Sequence, residues 1–460
     1  MYAIITISIV AIIVLFFGSI HKKGAILPIL FIGLPLAFVV NLMGWNQSIH
    51  YFNEMYIDDN FTIAFNGVLI FTTFLVFIFA PVYYKEVKRP LEDIYALILF
   101  SLVGGLMMTA FGNLVMLFLG IETLSLSLYL LAGSKKADPR SNEAAMKYFL
   151  TGSFASGFLL FGIALLYGAC GSFNLAEIKL YVVQNQANIP VMFSIGLLLI
   201  AVGLAFKIGA APFHFWIPDV YDGSPTLITS YMATVGKVAA FAAFFRFINS
   251  SFGDVDFLWK TYLSVFAVAT ILIGNFAALY QDNVKRMVAY SGVAHAGYML
   301  IAIIAIKGDS AGVLLLYSVS YSIATITAFA VLMMVRKETG SFSIASFNGL
   351  AKQNPASAFA MTIAMLSLAG IPPLIGFSAK YKLFVTAIEQ GQLVLVIIAI
   401  IGSIISVYYY LRPVMAMYFT SPTVVSNPVA SRNLYKKQIL VVTVLLIILS
   451  FIPGLIIHLI

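Results

Sequence analysis

The run Pro190-Val-Met-Phe-Ser-Ile-Gly-Leu-Leu-Leu-Ile-Ala-Val-Gly-Leu-Ala-Phe-Lys-Ile-Gly-Ala-Ala-Pro212 decides the fold. From Val191 to Phe206 only Ser194 is polar, so the segment is apolar on every helical face. A helix facing water on one side keeps a polar face; a helix of about 20 apolar residues is the length that crosses a bilayer. Lys207 and Pro212 then interrupt the run. Proline removes a backbone donor and opens a helix. The freed carbonyls and the lysine need polar company, from protein or from water in a cavity. The run therefore reads as a membrane helix with a break and an amine beside it, continuing into the aromatic stretch His214-Phe-Trp216.

Apolar runs of this length recur along the chain. Spans are expected at about 2–20, 25–43, 62–84, 93–111, 113–133, 145–170, 190–213, 226–248, 258–280, 285–306, 311–335, 356–388, 392–419 and 438–458. The twelfth is too long for one straight crossing, and Gly370-Ile-Pro-Pro373 breaks its middle. Composition agrees: of 460 residues 62% are hydrophobic and 10% charged, against roughly 25% charged in soluble chains. The expected fold is all-α, a polytopic membrane protein of about fourteen transmembrane helices. No soluble domain fits, since the longest loop, about 420–437, is too short to hold one. The first run, Tyr2 to Ile20, lacks a basic lead and a small-residue cleavage site, so it reads as a span rather than a signal.

The net charge of +8 does not point to nucleic acid, because the basic residues occupy short loops between spans. Most of the 26 lysines and arginines fall on one side of the expected topology. Only Lys179, Arg246, Lys260 and Lys307 fall on the other, and Lys207, Lys237, Lys380 and Lys382 lie within spans. The basic side is expected to face the cytoplasm, which leaves both termini outside with Glu54, Asp58 and Asp59. The single cysteine, Cys170, allows neither a disulfide framework nor a cysteine-rich metal site.

Of the 18 acidic residues, Glu122 alone lies midway along a span, in Gly120-Ile-Glu-Thr-Leu-Ser125. An acid at that depth costs several kcal/mol on insertion scales, so it faces a partner or a water path. The plainer reading is a protonated acid hydrogen-bonded between helices. Lys237, in Thr234-Val-Gly-Lys-Val238, sits about 15 Å from either span end at the 1.5 Å rise of a helix, too deep to snorkel with ease. Lys207 lies nearer an end, where snorkelling is a stronger competitor. His295, central in Tyr290-Ser-Gly-Val-Ala-His-Ala-Gly-Tyr298, suits either a relay or a hydrogen-bonded core position. Lys380 follows the second break, in Gly376-Phe-Ser-Ala-Lys-Tyr-Lys382; Lys382 points to another face, and Lys380 is the favoured interior residue.

The breaks are arranged suggestively. Lys207 precedes its proline, while Lys380 follows its own. Spans 7 and 12 are five apart and cross in opposite directions. Two inverted five-helix units, spans 4–8 and 9–13, would place broken helices at matching positions, the pointer to transporter repeats with midplane sites. The expected organisation is an N-terminal three-helix segment at 1–90, a first half at 91–250, a second inverted half at 251–420, and a loop with the final helix at 421–460.

Four stretches together carry a family resemblance: Gly-Ile-Glu at 120–122, Lys207-Ile-Gly-Ala-Ala-Pro-Phe-His-Phe-Trp-Ile-Pro-Asp-Val-Tyr221, Asp282-Asn-Val-Lys-Arg-Met-Val-Ala-Tyr-Ser291 with Ala294-His-Ala-Gly-Tyr298, and Gly370-Ile-Pro-Pro-Leu-Ile-Gly-Phe377. The chain resembles the antiporter-like membrane subunits of respiratory complex I over spans 4 to 13. Lysine at 380 sets it apart from members with glutamate there, an expected end after the fourteenth span from members with a long lateral helix, and the run Tyr408-Tyr-Tyr-Leu-Arg-Pro-Val-Met-Ala-Met-Tyr418 resembles the remaining members.

The resemblance implies proton translocation driven by electron transfer elsewhere in an NADH:quinone oxidoreductase, with NADH, FMN, iron–sulfur clusters and quinone held by other subunits and no cofactor in this one. It implies other membrane subunits, M and K, as neighbours in the bilayer, and no nucleic acid. It also implies roles: Glu122 and Lys207 as the pair of a first half-channel, Lys237 as the link, His295 on the central axis and Lys380 as the terminal lysine of the second half. A Glu–Lys pair at about 4 Å and an effective dielectric of 20 gains about 4 kcal/mol. Two other classes compete with this reading: a subunit of a multisubunit sodium/proton antiporter, and a purely structural membrane scaffold.

Overall fold

The computed structural model describes residues 1–20, 23–85, 91–186, 188–253, 255–306, 308–422 and 432–460. Lys307 and the middle of the expected 420–437 loop lie outside them. Among the described residues twelve helices are long and apolar enough to cross a membrane. Two further crossings fall below that length: α2 (Ile26–Leu42), and the pair α16 (Pro355–Ala369) and α17 (Ile375–Glu389), which is the expected twelfth span broken in two. About fourteen crossings thus stand.

The chain opens with α1 (Tyr2–Ser19) and α2, then a small antiparallel hairpin, β1 (Ile49–Tyr51) with β2 (Tyr56–Asp58), and α3 (Asn60–Tyr83). Next come α4 (Glu92–Ala110), α5 (Leu114–Ala132) and the long α6 (Pro139–Cys170). A surface helix, α7 (Leu175–Gln184), precedes α8 (Val191–Ile208). After the break lie α9 (Trp216–Gly223) and α10 (Thr226–Tyr231), which passes through one π-helical turn, Met232–Gly236, into α11 (Lys237–Phe252). Then follow α12 (Lys260–Leu279), α13 (Val284–Ile304), α14 (Ser310–Thr339) and a single turn, α15 (Leu350–Gln353). Beyond α16 and α17, α18 (Leu393–Phe419), α19 (Arg432–Ser450) and α20 (Pro453–Ile457) complete the chain.

Loops expected on the same side meet. Tyr56 bridges to Phe111 and Asn113 to Asn174, joining the ends of spans 2, 4 and 6. At the opposite end Asn283 bridges to Ser343, and Arg412 donates to Asp282 at 2.6 Å, joining the ends of spans 9, 11 and 13. A miscounted span would scramble these meetings. Arg246, expected at the end of the eighth span, lies within α11, 5% exposed, and donates to Asp59 at 2.6 Å and to Thr62 at 2.8 Å. A buried guanidinium needs that carboxylate, and Asp59 also caps α3 by accepting from the Thr62 N–H at 2.8 Å.

Small residues let the helices close up, as is usual where lipid supplies no hydrophobic drive between them. A Cβ on Gly104 would lie 2.4 Å from the Leu124 nitrogen, fixing α4 on α5; one on Gly274 would lie 2.4 Å from the Ala294 nitrogen, fixing α12 on α13. The segment α10–α11, with α13 and α14, is almost wholly buried, whereas α1, α6, α12 and α18 expose apolar faces such as Phe154 and Ile404. Two of the most buried helices, α11 and α13, carry Lys237 and His295.

Candidate functional site

Each break is a helix that ends on a left-handed glycine. Gly209 (φ +75°) terminates α8 just after Lys207, and Gly370 (φ +83°) terminates α16 before Lys380. The helix opens at the glycine in both cases, ahead of Pro212 and of Pro372. Lys380 then reaches back across its break and donates to the Ala369 carbonyl at 2.9 Å, one of those left free by the ended helix, and to Ser403 Oγ at 2.9 Å. Lys380 is 4% exposed, whereas Lys382 is exposed, so the geometry puts Lys380 in the interior.

Lys207 is half-buried and donates to Ser125 Oγ at 2.7 Å and to Tyr129 Oη at 3.3 Å. Both acceptors lie on α5, on the face that begins at Glu122, since positions three and seven apart share a face. Among the described residues Glu122 makes no ion pair with Lys207 within 4 Å, and its buried Oε1 has no hydrogen-bond partner. The expected pair is therefore adjacent but open, with Ser125 holding the amine. Leu119 and Leu126 beside Glu122 are exposed, so this face of α5 is uncovered in the isolated chain.

A small cavity of about 10 Å³, room for about one water, joins Lys207 to Lys237 between Tyr148, Trp216 and Tyr221. Lys237 is 2% exposed and follows the π-helical turn directly. Such turns often mark functional sites. Its amine donates to the Gly292 carbonyl of α13 at 2.5 Å and stands 5.5 Å from the centre of the Tyr321 ring. The His295 ring lies 5.0 Å from that same ring, so Tyr321 stands between them.

Both nitrogens of His295 are engaged: Nδ1 with Tyr317 Oη at 2.7 Å and Nε2 with Tyr410 Oη at 3.1 Å. One ring nitrogen of a neutral imidazole donates and the other accepts, and each tyrosine hydroxyl can do either. Tyr298 packs 5.9 Å from His295, and the Lys380 amine sits 4.9 Å from the centre of the Tyr298 ring. Asn275 supports this end, donating to Tyr298 Oη at 3.3 Å and accepting from Tyr409 at 3.0 Å. Lys207, Lys237, His295 and Lys380 thus form one line through the buried helices, with hydroxyls, aromatic faces and a cavity between them. Among the described residues no group of three His, Cys, Asp or Glu side chains could hold a metal.

A family model described as NADH:quinone oxidoreductase/Mrp antiporter, TM, matches residues 112–406, which include the whole line. NADH-quinone oxidoreductase subunit N of Cytophaga hutchinsonii is 44% identical over 423 residues, 91% of this chain and 90% of that protein. This chain belongs to the NADH-quinone oxidoreductase subunit N family. The subunit N of Flavobacterium psychrophilum is 41% identical over the full length of both proteins. The fold of the family is shared as well: a chain of respiratory complex I from Thermus thermophilus, solved with bound aureothin, superposes with a TM-score of 0.84 at 31% identity, covering 99% of this chain and 98% of that one.

Sequence reasoning named the charged residues of the line but not what holds them. Ser125 and Tyr129 were missed, although their spacing of three and seven from Glu122 is the signal that puts them on its face. Tyr317 and Tyr321, four apart on α14, share a face by the same spacing, but nothing in the sequence ties that face to His295.

Proposed function

We propose that this chain moves protons along the line Glu122–Lys207–Lys237–His295–Lys380 as a membrane subunit of an NADH:quinone oxidoreductase, holding no redox group itself. The observation that carries this reading is the continuity of the line: amines and an imidazole buried in the bundle, linked by a cavity and by tyrosines. A structural scaffold gains nothing from such residues, because each costs several kcal/mol at bilayer depth.

The open Glu122–Lys207 pair suggests the driven step. At about 4 Å such a pair carries about 4 kcal/mol of attraction at an effective dielectric of 20, counted from wide separation, so closing the adjacent pair adds part of that for the protonated amine. Opening it withdraws that attraction and frees the proton to pass through the cavity toward Lys237. Moving one charge against 100 mV costs about 2.3 kcal/mol, within reach of one such change. Lys207 acts as donor, Lys237 as link, His295 and its tyrosines as relay, and Lys380 as the terminal amine.

The uncovered face of α5 beside Glu122 supports a neighbouring membrane subunit packed there; complex I subunits M and K are the proposed neighbours. NADH, FMN, iron–sulfur clusters and quinone belong to other subunits in this reading. The loop charges support an inner-membrane chain with both termini outside, and the matched breaks at Gly209 and Gly370 support two inverted halves, 91–250 and 251–420, after a 1–90 segment and before the 421–460 end. The description of the family model also names Mrp antiporters, so sodium/proton exchange without a redox partner is the second reading.

Purification of the tagged chain from native membranes tests the two. Co-purifying flavin, iron and inhibitor-sensitive NADH:quinone reductase activity is the expected result. A set of small membrane subunits with sodium-dependent proton transport and no flavin would favour the antiporter.

A further inference from the structure

On the side that carries most of the basic loops, a cavity of about 380 Å³ opens where the two expected halves meet. Its lining draws charge from five cations, Lys135, Arg140, Lys285, Arg336 and Lys337. Among the described residues two acids face it, Asp138 and Asp222, and both are otherwise engaged. Asp138 caps α6, accepting from the Arg140 N–H at 3.1 Å. Asp222 accepts from Asn283 at 3.1 Å and lies 3.8 Å from Arg286.

Lys285 is the decisive member. It is 1% exposed, and its amine donates to the main-chain carbonyls of Ser224, at 2.7 Å, and Asp222, at 3.0 Å. An ammonium has three donors. Among the described residues no carboxylate oxygen lies within 4 Å of this amine. A buried charge without a counter-charge is costly unless something pairs with it. Beside it Ser224, 3% exposed, buries a hydroxyl that has no hydrogen-bond partner. An unpaired ammonium donor and an unpaired hydroxyl thus line one basic cavity, with Arg336 and Arg140 as exposed cations at its rim.

We infer that this cavity binds a phosphate group, with Lys285 and Ser224 as its inner contacts and the arginines completing the charge. Guanidinium pairs with phosphate oxygens through two parallel N–H donors, and lysine serves as a point charge. The site stands apart from the proton line and does not depend on it. The group is either a free phosphate ion or the head of an anionic phospholipid, and the chemistry at Lys285 is the same for both.

Electron cryo-microscopy of the intact membrane assembly, prepared with and without inorganic phosphate, tests this. The expected result is tetrahedral density within hydrogen-bonding distance of Lys285 Nζ and Ser224 Oγ. Density that appears only with added phosphate identifies the free ion; density present in both that continues into a glycerol backbone identifies a lipid. Ser224→Ala, a mild change that leaves Lys285 in place, should weaken binding about tenfold, the worth of one hydrogen bond to a charged group. Arg336→Gln should weaken it again. A cavity without such density in both preparations, or density unchanged in the Ser224→Ala and Arg336→Gln assemblies, overturns the inference.

Discussion

Lys237, directly after the π-helical turn, donates to the main-chain carbonyl of Gly292, so this amine is anchored on the helix that carries His295 three residues later. Two halves of a pathway that meet through one hydrogen bond can be separated at that bond. A Cβ at position 292 would lie 3.3 Å from Lys237 Nζ and 3.1 Å from Tyr321 Oη, close enough to force both to shift. Gly292→Ala should therefore lower proton pumping several-fold while the complex still assembles. Equal pumping in an assembled variant would show that the anchor is not used.

The two nitrogens of His295 call for a separate test. Tyr317→Phe and Tyr410→Phe each remove one hydroxyl partner and leave the ring volume in place. Each should cost about 1 kcal/mol of local stability and should slow turnover, with the double variant worse than either single one. A relay of this kind is sensitive to both partners; a core histidine that only fills space would tolerate both changes at full turnover, measured as NADH-driven quinone reduction in membranes.

Lys380 and Lys382 separate by burial. Lys380→Met removes a buried amine held by Ala369 and Ser403 and should abolish coupled pumping. Lys382→Met, on an exposed position, should leave it near the wild-type rate. The reverse pattern would move the terminal role to Lys382.

Outside the membrane spans, Asp59 supplies a pH prediction. Burial pushes its carboxyl upward, but the Arg246 charge and its hydrogen bond, with the Thr62 N–H, outweigh burial and hold it below the usual range. A carboxyl with a lowered folded value contributes stability above its unfolded value, near 3.9, and loses it as pH falls through the lowered folded value. Asp59→Asn should destabilise the assembly by about 1–3 kcal/mol near neutrality, discounted because Asp59 is about one-third exposed. The difference should shrink below about pH 4, read as heat inactivation of the purified complex across pH. A gap that widens toward low pH would contradict the sign.

Glu122, Lys237, His295 and Lys380 were legible because an ionisable residue in an apolar run stands out against its neighbours. Their partners were not, since serine and tyrosine are ordinary in membrane helices and only packing tells which of them face inward. The π-helical turn before Lys237 leaves no trace in a pattern of side chains. Arg246 read as a charge at a span end, and nothing in the residues around it shows that Asp59 and Thr62 receive it. Lys285, read as the start of a span, is buried because the Asp222 and Ser224 carbonyls receive it. The open state of Glu122 and Lys207 follows from Ser125, one turn along, competing for the same amine.

The central claim is that protons pass through the buried amines. It is tested most directly by reconstituting the assembly in sealed vesicles and measuring protons moved per NADH oxidised with Lys237→Met in place. Methionine keeps the length and the packing and removes only the charge and its donors. The proton path requires that the ratio fall, or that oxidation and pumping fail together, in an assembly of normal composition. Unchanged stoichiometry at unchanged turnover would mean that Lys237 carries no proton and that the line through Lys207, His295 and Lys380 is not the route.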